Sequence, residues 1–209
     1  MPVLNNVQVR AVVGRVVDPA ARFLLRIGLT PDAVTLLGTV AVAGIALWLF
    51  PTGHLFAGAV LIGVFVLTDM LDGAMARLSG RSGPWGAFLD STLDRVADAA
   101  VFVGLAWWFA EGGDDRVLLG LTLYCLVGGA LVSYAKARAE GLGLRCDVGI
   151  AERTERIVIV LIATGLSGLG VPFAQAVGLW LLAALTTVTV VQRIVHVRRQ
   201  TRAGAASHG

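Results

Sequence analysis

The chain has 209 residues, of which 56% are hydrophobic and only 15% charged. A soluble globular domain carries roughly 25% charged residues, so this composition excludes an ordinary water-soluble fold and points to a bilayer. The net charge of +3 is small and the basic residues are scattered, which excludes a nucleic-acid binder.

A chain of this length has room for about six membrane spans. An ionisable side chain in hydrocarbon costs roughly 2.5–3.5 kcal/mol on insertion scales, so each one needs a partner or a task. Residues 1–30 spread their arginines along the segment and lack the early apolar core of a cleavable signal. In residues 8–27, apolar positions alternate irregularly with Arg10, Arg15, Arg22 and Arg26, and Pro19 is expected to kink any helix there. This reads as an amphipathic helix on the membrane surface, its arginines turned to anionic headgroups.

Six apolar runs follow, at about 33–50, 55–78, 84–110, 117–139, 154–168 and 173–195. Breakers separate them: Pro51-Thr52-Gly53, Gly80 to Pro84, Glu111 to Asp115, Gly141 to Gly149 and Gly168 to Pro172. Trp107, Trp108 and Phe109 close the third run as an interface belt. The expected architecture is therefore all-α and polytopic. A surface segment at 1–30 precedes a six-helix transmembrane domain at 31–198 and a polar tail at 199–209. Of the 17 Lys and Arg residues, all but Arg116 fall on one side of this arrangement. The positive-inside rule then puts both termini in the cytoplasm, in a plasma-membrane protein whose charged helix ends face the same side.

The most informative stretch is 69–94. Asp69 and Asp72 are three apart at the end of the second run, and Asp90 and Asp94 are four apart at the start of the third. Both spacings place the carboxylates on one helix face, and the short loop between makes the two helices antiparallel neighbours. Four carboxylates brought together cannot all stay ionised without cations. Hard divalent ions suit an all-oxygen donor set, and two of them would bind a diphosphate and stabilise a leaving phosphate. Gly73, Ala76 and Gly86 keep the same face small, so that a phosphate could approach the backbone, while Arg77 could contact a phosphate or carboxylate. Thr30 and Pro31 have the chemistry of a helix start. Cys125 and Cys146 read as an inert buried thiol and a lone loop thiol, and His54, His196 and His208 carry no expected catalytic role. Asp98 continues the Asp94 stripe and is expected to orient Arg95, Arg77 or a metal-bound water.

The pattern Asp69-x2-Asp72-Gly73-x2-Ala76-Arg77-x8-Gly86-x3-Asp90-x3-Asp94 resembles, at every defined position, the signature of the CDP-alcohol phosphotransferases. The resemblance implies six transmembrane helices, usually in a homodimer, and a cavity open to the cytoplasm. It implies two divalent ions, Mg2+ or Mn2+, on Asp69, Asp72, Asp90 and Asp94, with Asp94 also the general base. The segment before the first run resembles the family as well, and implies that Pro31, Asp32 and Thr35 close over the nucleotide of a CDP-lipid, alongside Gly73, Ala76, Arg77 and Gly86.

A second constellation is basic: Ser133, Lys136 and Arg138 end the fourth run, Arg153 and Arg156 open the fifth, and Arg193 lies near the end of the sixth. Arginine forks grip phosphates by paired hydrogen bonds, so the acceptor alcohol is expected to carry a phosphate. Residues 133–140, residues 152–156 and the pair Asp94-Arg95 resemble the actinobacterial phosphatidylinositol phosphate synthases. That likeness implies CDP-diacylglycerol and inositol 1-phosphate as substrates, with these six residues as the acceptor-phosphate pocket. The alternatives are a phosphatidylglycerol phosphate synthase using glycerol 3-phosphate and, remotely, a small transporter. The acids sit at helix ends rather than midplane and no inverted repeat is visible, which disfavours transport.

Overall fold

The computed structural model describes the backbone of residues 7–80 and 83–206, and the side chains of residues 17–66, 71–80 and 83–202. The side chains of Arg10, Arg15 and Asp69, and the whole of Arg81 and His208, lie outside the described residues. The described chain is helical throughout: α1 (Val7–Arg26), α2 (Pro31–Leu49), α3 (Leu55–Leu78), α4 (Pro84–Ala110), α5 (Arg116–Glu140), α6 (Arg153–Gly168) and α7 (Ala174–Ala206). These follow the amphipathic segment and the six apolar runs within a few residues, except that α7 runs eleven residues past the sixth apolar run, into the polar segment after it.

Among the described residues, four helices are long and apolar enough to cross a membrane: α2, α3, α5 and the Ala174–Arg202 portion of α7. Six were expected, and the reason for the difference is local. Helix α6 has 16 residues and rises about 24 Å, short of a ~30 Å hydrocarbon core. Helix α4 is long enough, but its first half carries Asp90, Asp94, Arg95 and Asp98. Elsewhere the apolar surface faces outward: α2 exposes Leu36, Leu37, Val40, Leu47 and Trp48, as a helix solvated by lipid does. Four such helices make this a multi-pass membrane protein.

The chain divides into two compact units. One holds residues 1–44 and 61–97. In it, the apolar stripe of α1 buries Ala21, flanked by Val17, Leu24 and Leu25, against Ala74 and Met75 of α3. Those spacings are one face of a helix, so part of the amphipathic stripe is covered by protein. Phe23 and Ile27 stay exposed beside Arg22 and Arg26. Pro19 sits inside α1, which runs on to Arg26. The helix ends at Gly28, whose φ of +89° an L side chain rarely adopts, and Leu29 N–H closes back on Leu24 O at 3.1 Å. Thr30 then caps α2, its Oγ accepting from Ala33 N–H at 3.2 Å, with Pro31 in the first turn.

The other unit holds residues 45–60 and 98–209. There α7 packs on both α5 and α6. Small residues set these approaches. A Cβ on Gly128 would lie 2.7 Å from Thr186 Cγ2, and one on Gly178 would lie 2.3 Å from Ala163 Cβ. Tyr124 and Thr187 join α5 to α7 through their hydroxyls at 2.6 Å. The 33 residues of α7 span about 50 Å, so its last turns reach past the hydrocarbon. One of those turns holds the loop between α5 and α6. The Gln200 amide accepts from Arg145 N–H at 3.2 Å and donates to Arg145 O at 2.6 Å. Cys125 and Cys146 are both free and both buried.

Candidate active site

The carboxylate group begins with Asp72, buried near the end of α3. Thr35 Oγ lies 2.7 Å from Asp72 Oδ2 and 3.1 Å from Pro31 O. A hydroxyl has one proton, and the shorter, charged acceptor takes it. The backbone N–H of Gly73 lies 2.6 Å from Asp72 Oδ1, so both carboxylate oxygens have a fixed direction. Asp90 is exposed on α4, and Asp94 is partly buried one turn on, with Oδ2 3.7 Å from an Arg95 Nη. Among the described residues no three carboxylate, histidine or cysteine side chains form a closed metal-binding group. The fourth expected ligand, Asp69, has its side chain outside the described residues. The donor set itself is carboxylate oxygen, the chemistry that Mg2+ and Mn2+ prefer, so the residues present fit a hard divalent ion.

The expected nucleotide-side residues are organised around the same helix ends. Trp85, at the start of α4, donates its indole N–H to Asp32 Oδ2 at 3.0 Å and packs at a tilt on Phe88, with ring centroids 6.0 Å apart. Sequence reasoning missed that contact: it joins residues 53 positions apart, and nothing in either local pattern announces it. Pro31 is buried and Arg77 exposed. Among the described residues, a Cβ on Gly86 would meet nothing within 4 Å, and one on Gly73 would meet Arg77 Nη1 at an ordinary 3.5 Å. Packing against the described residues therefore does not explain either glycine. Ala76 is partly buried beside them in sequence.

The basic group is built differently, from charges already answered inside the protein. Asp98, buried in α4, accepts from Arg153 Nε at 3.1 Å and from an Arg156 Nη at 3.4 Å. Arg156 is the largest fully buried side chain, and its other Nη is 3.5 Å from Ala151 O. Arg193 is buried too, donating through Nε to Val148 O at 2.9 Å and through Nη1 to Val132 O, with Nη2 3.6 Å from Glu152. Lys136 bridges Asp147 at 2.9 Å and approaches Glu140 at 3.9 Å. The hydrogen bond from Lys136 holds the exposed Asp147 carboxyl below its usual range, with the ammonium charge acting in the same direction. Ser133 Oγ turns back to Gly129 O at 3.2 Å, and Arg138 is exposed. Arg153 and Arg156 are thus brought together by Asp98. The i+4 spacing from Asp94 flagged that aspartate, but the expected partners Arg95 and Arg77 are not the ones these bonds reach.

The chain is thus a helical membrane protein with aspartates at the ends of apolar helices and a second group of arginines held by partners inside the protein. Residues 28–195 match the CDP-alcohol phosphatidyltransferase family, and the chain belongs to it. It is 50% identical over 202 residues to the phosphatidylinositol phosphate synthase of Streptomyces avermitilis, covering 93% of this chain and 83% of that protein. To the phosphatidylinositol phosphate synthase of Mycobacterium tuberculosis it is 54% identical over 188 residues, covering 88% and 87%. A crystal structure of the M. tuberculosis enzyme with CDP-DAG bound superposes with a TM-score of 0.85 at 54% identity, covering 88% of this chain and 94% of that one. Another, in complex with manganese and citrate, gives a TM-score of 0.84 at 54% identity, covering 87% and 88%. The chain is accordingly an enzyme of CDP-alcohol phosphatidyl transfer that uses divalent metal, Mg2+ or Mn2+.

Proposed function

We propose that the protein transfers the phosphatidyl group of CDP-diacylglycerol to the hydroxyl of inositol 1-phosphate, giving phosphatidylinositol phosphate and CMP. What supports this reading is the pair Arg153 and Arg156, the first partly and the second fully buried, both oriented on Asp98. An acceptor that brings its own phosphate suits such paired guanidiniums by geometry. The names of the relatives at 50% and 54% identity support the same acceptor.

In this reading Asp69, Asp72, Asp90 and Asp94 hold two divalent ions. When bound, these supply the positive charge that stabilises the pentavalent phosphoryl group and the leaving CMP. Asp94 takes the proton from the acceptor hydroxyl as that oxygen attacks the phosphorus bearing the diacylglycerol, and the bond from that phosphorus to CMP breaks. Thr35 orients Asp72. Pro31 and Asp32 close over the cytidine, with Trp85 fixing the Asp32 carboxylate. Gly73, Ala76 and Gly86 leave room for the diphosphate, and Arg77 reaches it from the end of α3. Ser133, Lys136, Arg138, Arg153, Arg156 and Arg193 receive the acceptor phosphate. The enzyme works as a homodimer in the plasma membrane, with termini and active site toward the cytoplasm.

The test is CMP release by purified enzyme with CDP-diacylglycerol and Mn2+, on adding inositol 1-phosphate, glycerol 3-phosphate or free inositol separately, with Asp94→Asn as the blank. Release with inositol 1-phosphate alone is the expected result. Release with glycerol 3-phosphate instead overturns the acceptor, and release with free inositol overturns the phosphate grip.

A further inference from the structure

We infer that Asp98 is a positioning residue for the acceptor phosphate: it orients the guanidiniums of Arg153 and Arg156 without touching substrate. The inference rests on the acceptor reading above. Asp98 is buried, and each of its oxygens serves a different arginine, Oδ1 facing Arg153 Nε at 3.1 Å and Oδ2 facing an Arg156 Nη at 3.4 Å. A guanidinium held through Nε has its plane fixed, so the direction of its paired Nη donors is fixed with it.

Arg156 is held from its other face as well. A Cβ on Gly129 would lie 3.2 Å from Arg156 Nε and 3.6 Å from its Cζ, so α5 packs directly on the guanidinium. Arg156 is wedged between that glycine and Asp98, with 2% of its side chain exposed. Asp98 thus holds the buried Arg156 and the partly buried Arg153 in one arrangement, each through a different carboxylate oxygen.

Two effects compete when Asp98 is neutralised. Removing its charge strengthens the local positive field and favours an anion. Removing one of its acceptor oxygens frees an arginine from its orientation. Asn has one acceptor oxygen where two arginines each need one, and its NH2 would face a guanidinium donor. The charge-assisted bond so lost is worth roughly 1.5–3 kcal/mol. At about 7 Å through an effective dielectric of about 20, the field of one carboxylate is comparable to that bond. The sign of the change in acceptor KM therefore decides between the two effects, and orientation is expected to win.

The experiment is a KM split in the full-length enzyme. In Asp98→Asn, the KM for inositol 1-phosphate is expected to rise about tenfold or more, while the KM for CDP-diacylglycerol stays within about twofold. Asp98→Glu keeps the charge and both oxygens but shifts the guanidiniums by one methylene, so its acceptor KM should rise only about threefold. If Asp98→Asn does not fold, the split is read in Asp98→Glu alone. An acceptor KM within twofold of wild type in every folded variant, or both KM values rising together, would overturn the inference. Wild-type enzyme that releases CMP without a phosphorylated acceptor would instead overturn the reading beneath it, so the two failures are told apart.

Discussion

The two charged regions of this membrane enzyme are built on opposite plans. In the unit that holds Asp72, Asp90 and Asp94, Asp72 is directed by a threonine hydroxyl and a backbone N–H, Asp94 lies 3.7 Å from an Arg95 Nη, and Asp90 is exposed. In the other unit Arg156 and Arg193 are buried and Arg153 partly so, and they are answered by Asp98, by Glu152 and by backbone carbonyls. The difference teaches how each region is held. The acidic group keeps an exposed carboxylate that an external cation can reach, in keeping with the metal site proposed above, whereas the basic group is fixed by partners inside the protein.

The sharpest way to break this contrast is to remove one charge from each region. Asp90→Asn is expected to lower turnover by about 100-fold or more, since it removes a proposed ligand to the divalent ions. Its unfolding free energy in detergent should stay within about 0.5 kcal/mol of wild type, because the side chain is exposed. Arg156→Ala should do the reverse to stability, lowering it by about 3 kcal/mol, because it strips a buried carboxylate of one partner. A large stability loss in Asp90→Asn, or none in Arg156→Ala, would contradict the contrast.

The smallest effect belongs to the exposed pair Lys136 and Asp147. Lys136 lowers the Asp147 pKa below its ordinary 3.8. A depressed carboxylate contributes stability that is complete above its unfolded pKa and is lost as pH falls through the lower folded value. Asp147→Asn should therefore be slightly less stable than wild type at neutral pH, and the gap should close in the acid limb as the wild-type carboxylate is protonated. A gap that persists unchanged through the acid limb would mean that the pair is held by something other than this carboxylate.

Much of this was legible in the chain itself. The apolar runs end at Pro51, Gly80 and Gly141 because proline and glycine interrupt helices, and the helices stop within a residue or two of them. The aspartates of 69–94 were legible because a carboxylate in an apolar run has no bland explanation. Of the six spans read from the runs, four meet length and apolarity together among the described residues, since apolarity marks where a run lies but not how long α6 is or how much charge α4 carries. Long-range pairs were not legible. Asp98 announced itself by spacing, yet its partners lie 55 and 58 residues away, and only the fold selects Arg153 and Arg156 over Arg95 and Arg77. Arg193 reads in sequence as one more phosphate donor. In the structure it spends Nε and Nη1 on the carbonyls of Val148 and Val132, so it also fixes the loop between α5 and α6.

The most direct test of the central claim is the thermal stability of purified enzyme with EDTA and with Mn2+, in wild type, Asp90→Asn and Arg156→Ala. The account predicts that Mn2+ raises the melting temperature of wild type, that this rise is lost or much reduced in Asp90→Asn, and that it persists in Arg156→Ala from a lower starting point. A full Mn2+ response in Asp90→Asn, or its loss in Arg156→Ala alone, would contradict the assignment of the cation to the carboxylate region.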